Sequence, residues 1–273
     1  MRGEPVKRTE AAIPLPAATV TLVRDAPRGL EVLMVQRNHS LAFMPGVHVF
    51  PGGGLDAADD SPEMHALCVG LDDAAASRTL GLARGGLAYW IAAIREAFEE
   101  AGILLAYDAS GELVSLVGPA AERFAAHRRA LHHRDGDFAA FARAEGLRLA
   151  ADRLRYFGHW ITPPGAPRRY DTRFFLAVAP QRQQARADSG ETIAETWVRP
   201  REALDLCARE MFNMRFPTVK TLERFADCAT VAELLATAIS SSRVETHQPR
   251  VTREGRHVLP GDPGYEEAGE REI

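Results

Sequence analysis

Cysteine is scarce in this chain: Cys68, Cys207 and Cys228 are all it has, far apart and without a CxxC pair. That argues against a disulfide framework and a cysteine zinc site, and it fits a reduced protein of the cytoplasm. No run of about 18 apolar residues occurs, so no transmembrane helix and no membrane association are expected. The opening MRGEPVKRTEAAIPLP has no continuous apolar stretch, so no secretory leader is expected. A surplus of positive charge is missing too. With 33 Lys and Arg against 37 Asp and Glu, the net charge is −4 and the pI about 6.2. A basic footprint for nucleic acid is therefore not supported. Internal repeats are absent. Lysine is rare beside arginine, and alanine is abundant, a composition that suits a GC-rich bacterial genome and says nothing about chemistry.

What remains is enough for a core. The 273 residues are 46% hydrophobic with a mean hydropathy of −0.19, which allows one large domain or two small ones. Residues 1–16 read as a loose lead-in. AATVTLVRD (17–25) and LEVLMVQR (30–37) flank Pro27 and Gly29, the pattern of a hairpin. The short run VHVF (47–50) ends at PGGG. Residues 57–86 are rich in Asp, Ala, Ser and Pro and read as an insertion with one short helix. From Gly86, Leu87, Ile91, Ile94 and Phe98 recur at steps of three and four, so a helix with one apolar face is predicted, C-capped by Gly102. Ile103-Leu104-Leu105 then begins a strand.

Further on, residues 119–151 read as two helices broken near Asp135-Gly136. Strands are expected within 153–163, 168–180 and 191–200, and helices within 201–210, 217–226 and 231–239. Residues 241–273 are polar, with scattered Pro and Gly, and read as a partly ordered tail. Interspersed strands and helices after an initial hairpin make the class α/β or α+β with a mixed sheet, the domain spanning residues 17–240.

Two fragments carry the chemistry: VFPGGGLD (49–56) and REAFEEAG (95–102). On a helix Glu96 shares a face with Glu99 and Glu100. Three carboxylates that close repel one another unless a cation lies among them. Their hard oxygen donors suit Mg²⁺ or Mn²⁺ rather than zinc. Arg95 adjoins them and can hold a carboxylate bidentately. Glutamate-rich helix faces are usually just solvated and glycine-rich loops are usually turns. The two together, in this order, carry the meaning.

Arg95-Glu96-Ala97-Phe98-Glu99-Glu100-Ala101-Gly102-Ile103 resembles the second half of the Nudix box, R-E-U-x-E-E-x-G-U, with Ala97 in the first aliphatic slot. Pro51-Gly52-Gly53-Gly54-Leu55-Asp56 resembles its glycine-rich start. The box is split, because Gly53 and Arg95 stand 42 positions apart. A split box is a feature of the acyl-coenzyme A diphosphatase branch known from peroxisomes. FMPGVHVFPGGGLDAAD (43–59) and WITPPGAPRRYDTRFF (160–175) are similar to that branch. The insertion leaves the first box glutamate unassigned, with Glu63 as a candidate. Coenzyme A diphosphatases also carry LLTxR[SA]x3Rx3Gx3FPGG. Leu33 to Arg37, Gly46 and Phe50 to Gly53 keep its spacing, while Val35, Asn38 and Ala42 stand where it has Thr, Ser or Ala, and a second Arg.

The resemblance implies a mixed sheet between helices and metal-dependent hydrolysis of a nucleoside diphosphate linked to another group. The small-molecule substrate it implies first is coenzyme A or acyl-coenzyme A. ADP-ribose or a dinucleotide such as NADH is an alternative, and a non-catalytic ligand sensor another. It assigns the metal to Glu96, Glu99 and Glu100 with a carbonyl near Gly53, and catalysis to these glutamates with Arg95. Glu191 or Glu195 is the candidate for a second-layer carboxylate or base. Substrate contacts are expected from Arg37, Gly52 and Gly53, and from Arg168, Arg169 or Arg173 in place of the arginine missing at Ala42. His48 reads as structural, His132-His133 as solvent-facing, and Trp160 and Trp197 as core. Nudix proteins often form homodimers, but no segment here specifies an interface.

Overall fold

The computed structural model describes residues 12–133, 135–239 and 244–268. Its centre is the predicted hairpin. Strands β1 (Leu15–Ala26) and β2 (Gly29–Arg37) pair from Val23↔Val32 to Ala26↔Gly29 around a turn in which Gly29 has φ +111°. Beyond that the two strands part, and the next two strands fill the gap. The short β3 (His48–Val49) pairs with β2, while β4 (Gly52–Gly54) pairs antiparallel with Ala17–Thr19 of β1. The glycine loop is thus wedged into the split of the hairpin. Gly52 has no room for a side chain: a Cβ there would lie 2.5 Å from the Ala18 carbonyl oxygen.

The helix predicted from Gly86 becomes α3. Before it, the insertion folds as a 3-10 turn (Ala57–Asp60), α1 (Pro62–Leu67) and α2 (Asp73–Leu80), more helix than expected. α3 runs Leu87–Ala101 and ends at Gly102, which is left-handed at φ +68° as predicted. Ile91, Ile94 and Phe98 are fully buried, each contributing about 2 kcal/mol by burial. α3 lies across β1 and β4, so the acidic end of the helix meets the glycine loop.

Residues 103–105 are not a strand. The side-chain amide of Gln183 takes both backbone groups of Leu104, at 2.8 and 2.9 Å, in place of a neighbouring strand. The chain then forms β5 (Ala106–Tyr107), which pairs with β6 (Arg148–Leu149), and between these α4 (Pro119–His132) and α5 (Phe138–Ala144). β7 (Arg155–Ile161) and β8 (Tyr170–Val178) follow, β8 running parallel to β1. β9 (Thr192–Val198) pairs with β2, and α6 (Pro200–Ala208), α7 (Phe216–Phe225) and α8 (Val231–Ile239) cover the other face. β10 (Thr246–His247) extends the sheet beside β7. The result is a mixed eight-stranded sheet between two helical layers, an α+β fold with one core under α3 and another under α6–α8.

The insertion also supports α3. Gly86 offers no side chain to cap the helix. The Asp73 carboxylate accepts from the Leu87 and Gly85 N–H groups at 3.0 and 3.1 Å, and the Ser77 hydroxyl accepts from Gly86 N–H at 2.9 Å. Burial works to raise the Asp73 carboxyl, but these backbone donors outweigh it and hold the carboxyl below its usual 3.8. The expected cost of Asp73→Ala is about 1 kcal/mol of unfolding free energy at pH 7. Because the folded value is depressed, that contribution is complete above the ordinary carboxyl range and lost as pH falls through the folded value. Equilibrium denaturation of both proteins at pH 7 and below pH 3 checks it, and an unchanged difference at low pH would refute the cap.

Candidate active site

Arg95 is buried, 6% exposed, at the inner end of a cleft. Its Nε and Nη2 donate to the two carboxylate oxygens of Asp59 at 3.1 and 3.0 Å, and Nη2 also donates to the Gly54 carbonyl at 2.9 Å. Nη1 donates to Glu96 at 2.8 Å and reaches Glu99 at 3.5 Å. One guanidinium therefore joins the glycine loop, the first turn of the insertion and the acidic end of α3.

Asp59, not Glu63, is the carboxylate that meets Arg95. Glu63 on α1 pairs instead with Arg143 of α5. The Asp59 carboxylate also accepts from the Asp56 N–H at 2.8 Å, closing the 3-10 turn. The sequence did hold a signal: Asp59 stands six positions after Gly53, at the start of the insertion.

The three glutamates divide by depth. Glu96 and Glu99 line the cleft, whereas Glu100 is buried behind them, taking the Gly52 N–H at 2.9 Å. Gly53 sits against Glu96 so closely that a Cβ would fall 2.5 Å from its Oε1. Burial, with Glu99 and Glu191 adding repulsion, raises the Glu96 carboxyl to about 7. Burial likewise raises Glu99, with Asp56 and Asp59 contributing, and Glu100, with Glu96 and Glu191 contributing. Glu96 and Glu99 present to the cleft the hard oxygen donors that suit a divalent cation such as Mg²⁺ or Mn²⁺, with Glu100 turned to Gly52 behind them.

Of the two later carboxylates, Glu191 lines the cleft and accepts from Arg37 Nη1 at 2.8 Å. Glu195 instead accepts from the Ala187 N–H at 2.8 Å and closes a loop. Asn38 holds the Glu191 segment, accepting nothing from it but donating its backbone N–H to the Glu191 carbonyl and its side-chain amide to the Gly190 carbonyl, each at 2.8 Å. Asp188 accepts from the N–H groups of Gly190, Glu191 and Thr192. His132 does not simply face solvent: its Nδ1 lies 3.0 Å from Asp188 and its ring lines the cleft. Arg128, one turn earlier, donates to the Glu99 carbonyl at 2.9 Å, so α4 clamps both acidic segments.

The arginines separate likewise. Arg37 and Arg168 line the cleft, with Arg168 over the rings of Tyr170 and Phe43 at 5.3 and 5.8 Å. Arg169 and Arg173 turn away from it. Arg169 is buried and donates to the Thr162 and Ala12 carbonyls at 3.0 and 2.9 Å. Arg173 is buried against Tyr156 and His159 at 3.1 and 2.9 Å, because alternate residues of β8 face opposite sides of the sheet. His48 is buried and stacked on Phe212 at 3.9 Å. Trp197 lies under Arg24, and Trp160 is nearly buried but presents an edge to the cleft.

Comparison with known proteins agrees with this geometry. The family model of the NUDT19 Nudix domain matches residues 72–225. Human acyl-coenzyme A diphosphatase NUDT19 is 30% identical over 282 aligned residues, covering 87% of this chain and 72% of its own. The protein of that name from Xenopus laevis is 27% identical, with the same coverage of each chain. Among solved structures, a NUDIX hydrolase from Alicyclobacillus acidocaldarius superposes with a TM-score of 0.67 at 29% identity, covering 85% of this chain and 97% of its own.

If Asp59 is the partner of Arg95, Asp59→Ala should lower the unfolding free energy by about 3 kcal/mol, since it breaks a buried pair. Glu63→Ala, on the surface, should cost under about 0.5 kcal/mol. Equal losses in urea denaturation would contradict the assignment.

Proposed function

The chain belongs to the Nudix hydrolases, in the branch of the acyl-coenzyme A diphosphatases, and from that premise we propose that it cleaves the diphosphate of coenzyme A or acyl-coenzyme A in a metal-dependent reaction. It is a diphosphatase, a hydrolase of phosphoric anhydrides. Water adds to one phosphorus, the bridging P–O bond breaks, and the products are adenosine 3′,5′-bisphosphate and (acyl-)4′-phosphopantetheine.

The observation that carries this reading is the placement of Glu96 and Glu99 in a cleft of about 1060 Å³, beside the backbone of Gly52–Gly54. Such a volume suits a bulky two-ended substrate rather than a small phosphate ester. Glu96, Glu99 and Glu100, with the Gly53 carbonyl, are assigned as the cation site. A bound Mg²⁺ or Mn²⁺ supplies charge neutralisation and Lewis acidity. Arg95 holds the rotamers of Glu96 and Glu99. Glu191, 43% exposed and steadied by Arg37, is assigned as the proton acceptor for the attacking water. Arg37 and Gly52–Gly53 face the diphosphate. All three cysteines are free, and no described helix is long and apolar enough to cross a membrane.

A second reading, hydrolysis of ADP-ribose or a dinucleotide, draws support from Ala42, where the coenzyme A pattern has an arginine. Incubation with Mg²⁺ or Mn²⁺ and coenzyme A, an acyl-coenzyme A, ADP-ribose or NADH, with products identified by mass, separates the two. Release of adenosine 3′,5′-bisphosphate is expected. Glu99→Gln/Glu100→Gln should lower kcat about 1000-fold. Gly53→Ala, whose Cβ displaces Glu96, should lower it about 100-fold. Cleavage of ADP-ribose or NADH alone would overturn the substrate, and no cleavage would overturn the activity.

A further inference from the structure

The cleft has two walls of different chemistry. Met64, Leu131, Phe138 and Ala139 form the apolar part of one, within the core under α3, with no arginine or lysine beside them in the lining. The other lies across the sheet, on the face of α7. Trp160 there meets the Phe216 ring edge-on at 6.0 Å, and His257 stacks on Phe216 at 5.6 Å with an interplanar angle of 22°. Trp160 pairs in register with Thr172, and Tyr170, on the same face of β8, carries Arg168. Arg215 adjoins Phe216 at the start of α7.

Charge distinguishes this wall further. The carboxylates that line the cleft are Asp56, Asp59, Glu96, Glu99, Asp137 and Glu191. None comes from β7, β8, α7 or the segment after α8. Arg168 and Arg215 are both exposed, and among the described residues neither pairs with a carboxylate. The start of α7 adds the positive end of its dipole, with Thr218 also lining the cleft. Stacking rings beside unpaired guanidinium groups are complementary to a base that carries phosphate. A hydrocarbon chain gains nothing from the guanidinium groups, whereas Met64, Leu131, Phe138 and Ala139 on the opposite wall offer it apolar side chains.

We propose that Arg168 and Arg215, with the Trp160–Phe216–His257 rings, form the subsite for the nucleoside end of the substrate and read its 3′-phosphate. This rests on the coenzyme A reading above. It makes the C-terminal segment part of the active site. His257 lies on β12 (His257–Val258), paired with β11 (Arg250–Val251), and the segment is tied to the sheet by β10. The Thr246 hydroxyl lies 2.7 Å from His159 Nδ1, a second tie. Burial and the neighbouring Arg215 hold the His257 imidazole below its ordinary value, which favours the neutral ring for stacking. The acyl-pantetheine end then runs toward Phe138, with the diphosphate over Glu96 and Glu99.

The test is binding of adenosine 3′,5′-bisphosphate and of adenosine 5′-monophosphate to the full chain by calorimetry, without metal. The bisphosphate should bind about 10-fold more tightly, as charge-assisted contacts to one extra phosphate allow. Arg168→Ala/Arg215→Ala should abolish that preference and leave the monophosphate within about 2-fold. His257→Ala should weaken both ligands alike. Kinetics supply the second readout: the double variant should raise KM for coenzyme A about 10-fold more than KM for its 3′-dephospho form. No preference in the parent protein, or equal losses for both ligands in the arginine variant, would overturn the subsite. If coenzyme A is cleaved without that preference, the subsite fails and the activity stands. If the preference is present but coenzyme A is not cleaved, the subsite stands and the activity fails.

Discussion

The buried pairing of Arg95 with Asp59 is the constraint on which the site depends. A guanidinium this deep is costly unless every face of it is satisfied. Here Asp59 and the Gly54 carbonyl take the inner face, while Glu96 and Glu99 take the outer one. Burial alone would lower the Arg95 pKa, yet Glu96, Asp59 and Glu99 together drive it upward, so the charge is permanent. The consequence is geometric. The guanidinium ties strand β4, the 3-10 turn and the end of α3 to one another.

That cation does not balance the acids around it. Glu96, Glu99, Glu100, Asp59 and Glu191 gather about Arg95 and Arg37, and burial raises the carboxyls of Asp59, Glu96, Glu99 and Glu100. In an ordinary core such an imbalance would be removed by substitution, because like charges at this distance cost stability. Placed at the inner end of a cleft, it is instead a set of hard oxygen donors of the kind that suits a divalent cation. The glycines serve the same end: the loop approaches Glu96 and Ala18 more closely than any side chain permits.

Much of this was legible in the residues. The helical spacing of Leu87, Ile91, Ile94 and Phe98 predicts α3 and the face that carries its glutamates, and the hairpin follows from Pro27 and Gly29. Three things were not legible, each for a physical reason. Asp59 is one methylene shorter than the glutamate expected, and a 3-10 turn brings it close enough to serve. Arg169 and Arg173 lie in an arginine-rich run, but strand alternation and local carbonyls decide where each points, and only Arg168 faces the cleft. His132 stands on a polar helix whose docking partner, the Asp188 turn, is 56 positions away. Periodicity reports which face of an element is apolar, not which distant loop will meet it.

The split of the box follows from the same logic. What the acidic helix requires from the chain before it is a carboxylate for Arg95 and acceptors for its own first N–H groups. Neither requirement fixes the number of residues between the two halves. Asp59 meets the first before the insertion begins to fold as α1 and α2. Asp73 and Ser77, inside the insertion, meet the second by capping Gly85, Gly86 and Leu87. The packing is tight, since a Cβ on Gly86 would come within 2.3 Å of the Ser77 nitrogen. The added segment is therefore fastened at the helix start and contributes Met64 to the cleft, while Arg143 of α5 holds Glu63 from outside. A loop that returns to cap the helix it interrupts can lengthen without moving the carboxylates, and its outer face is then free to shape what the cleft accepts.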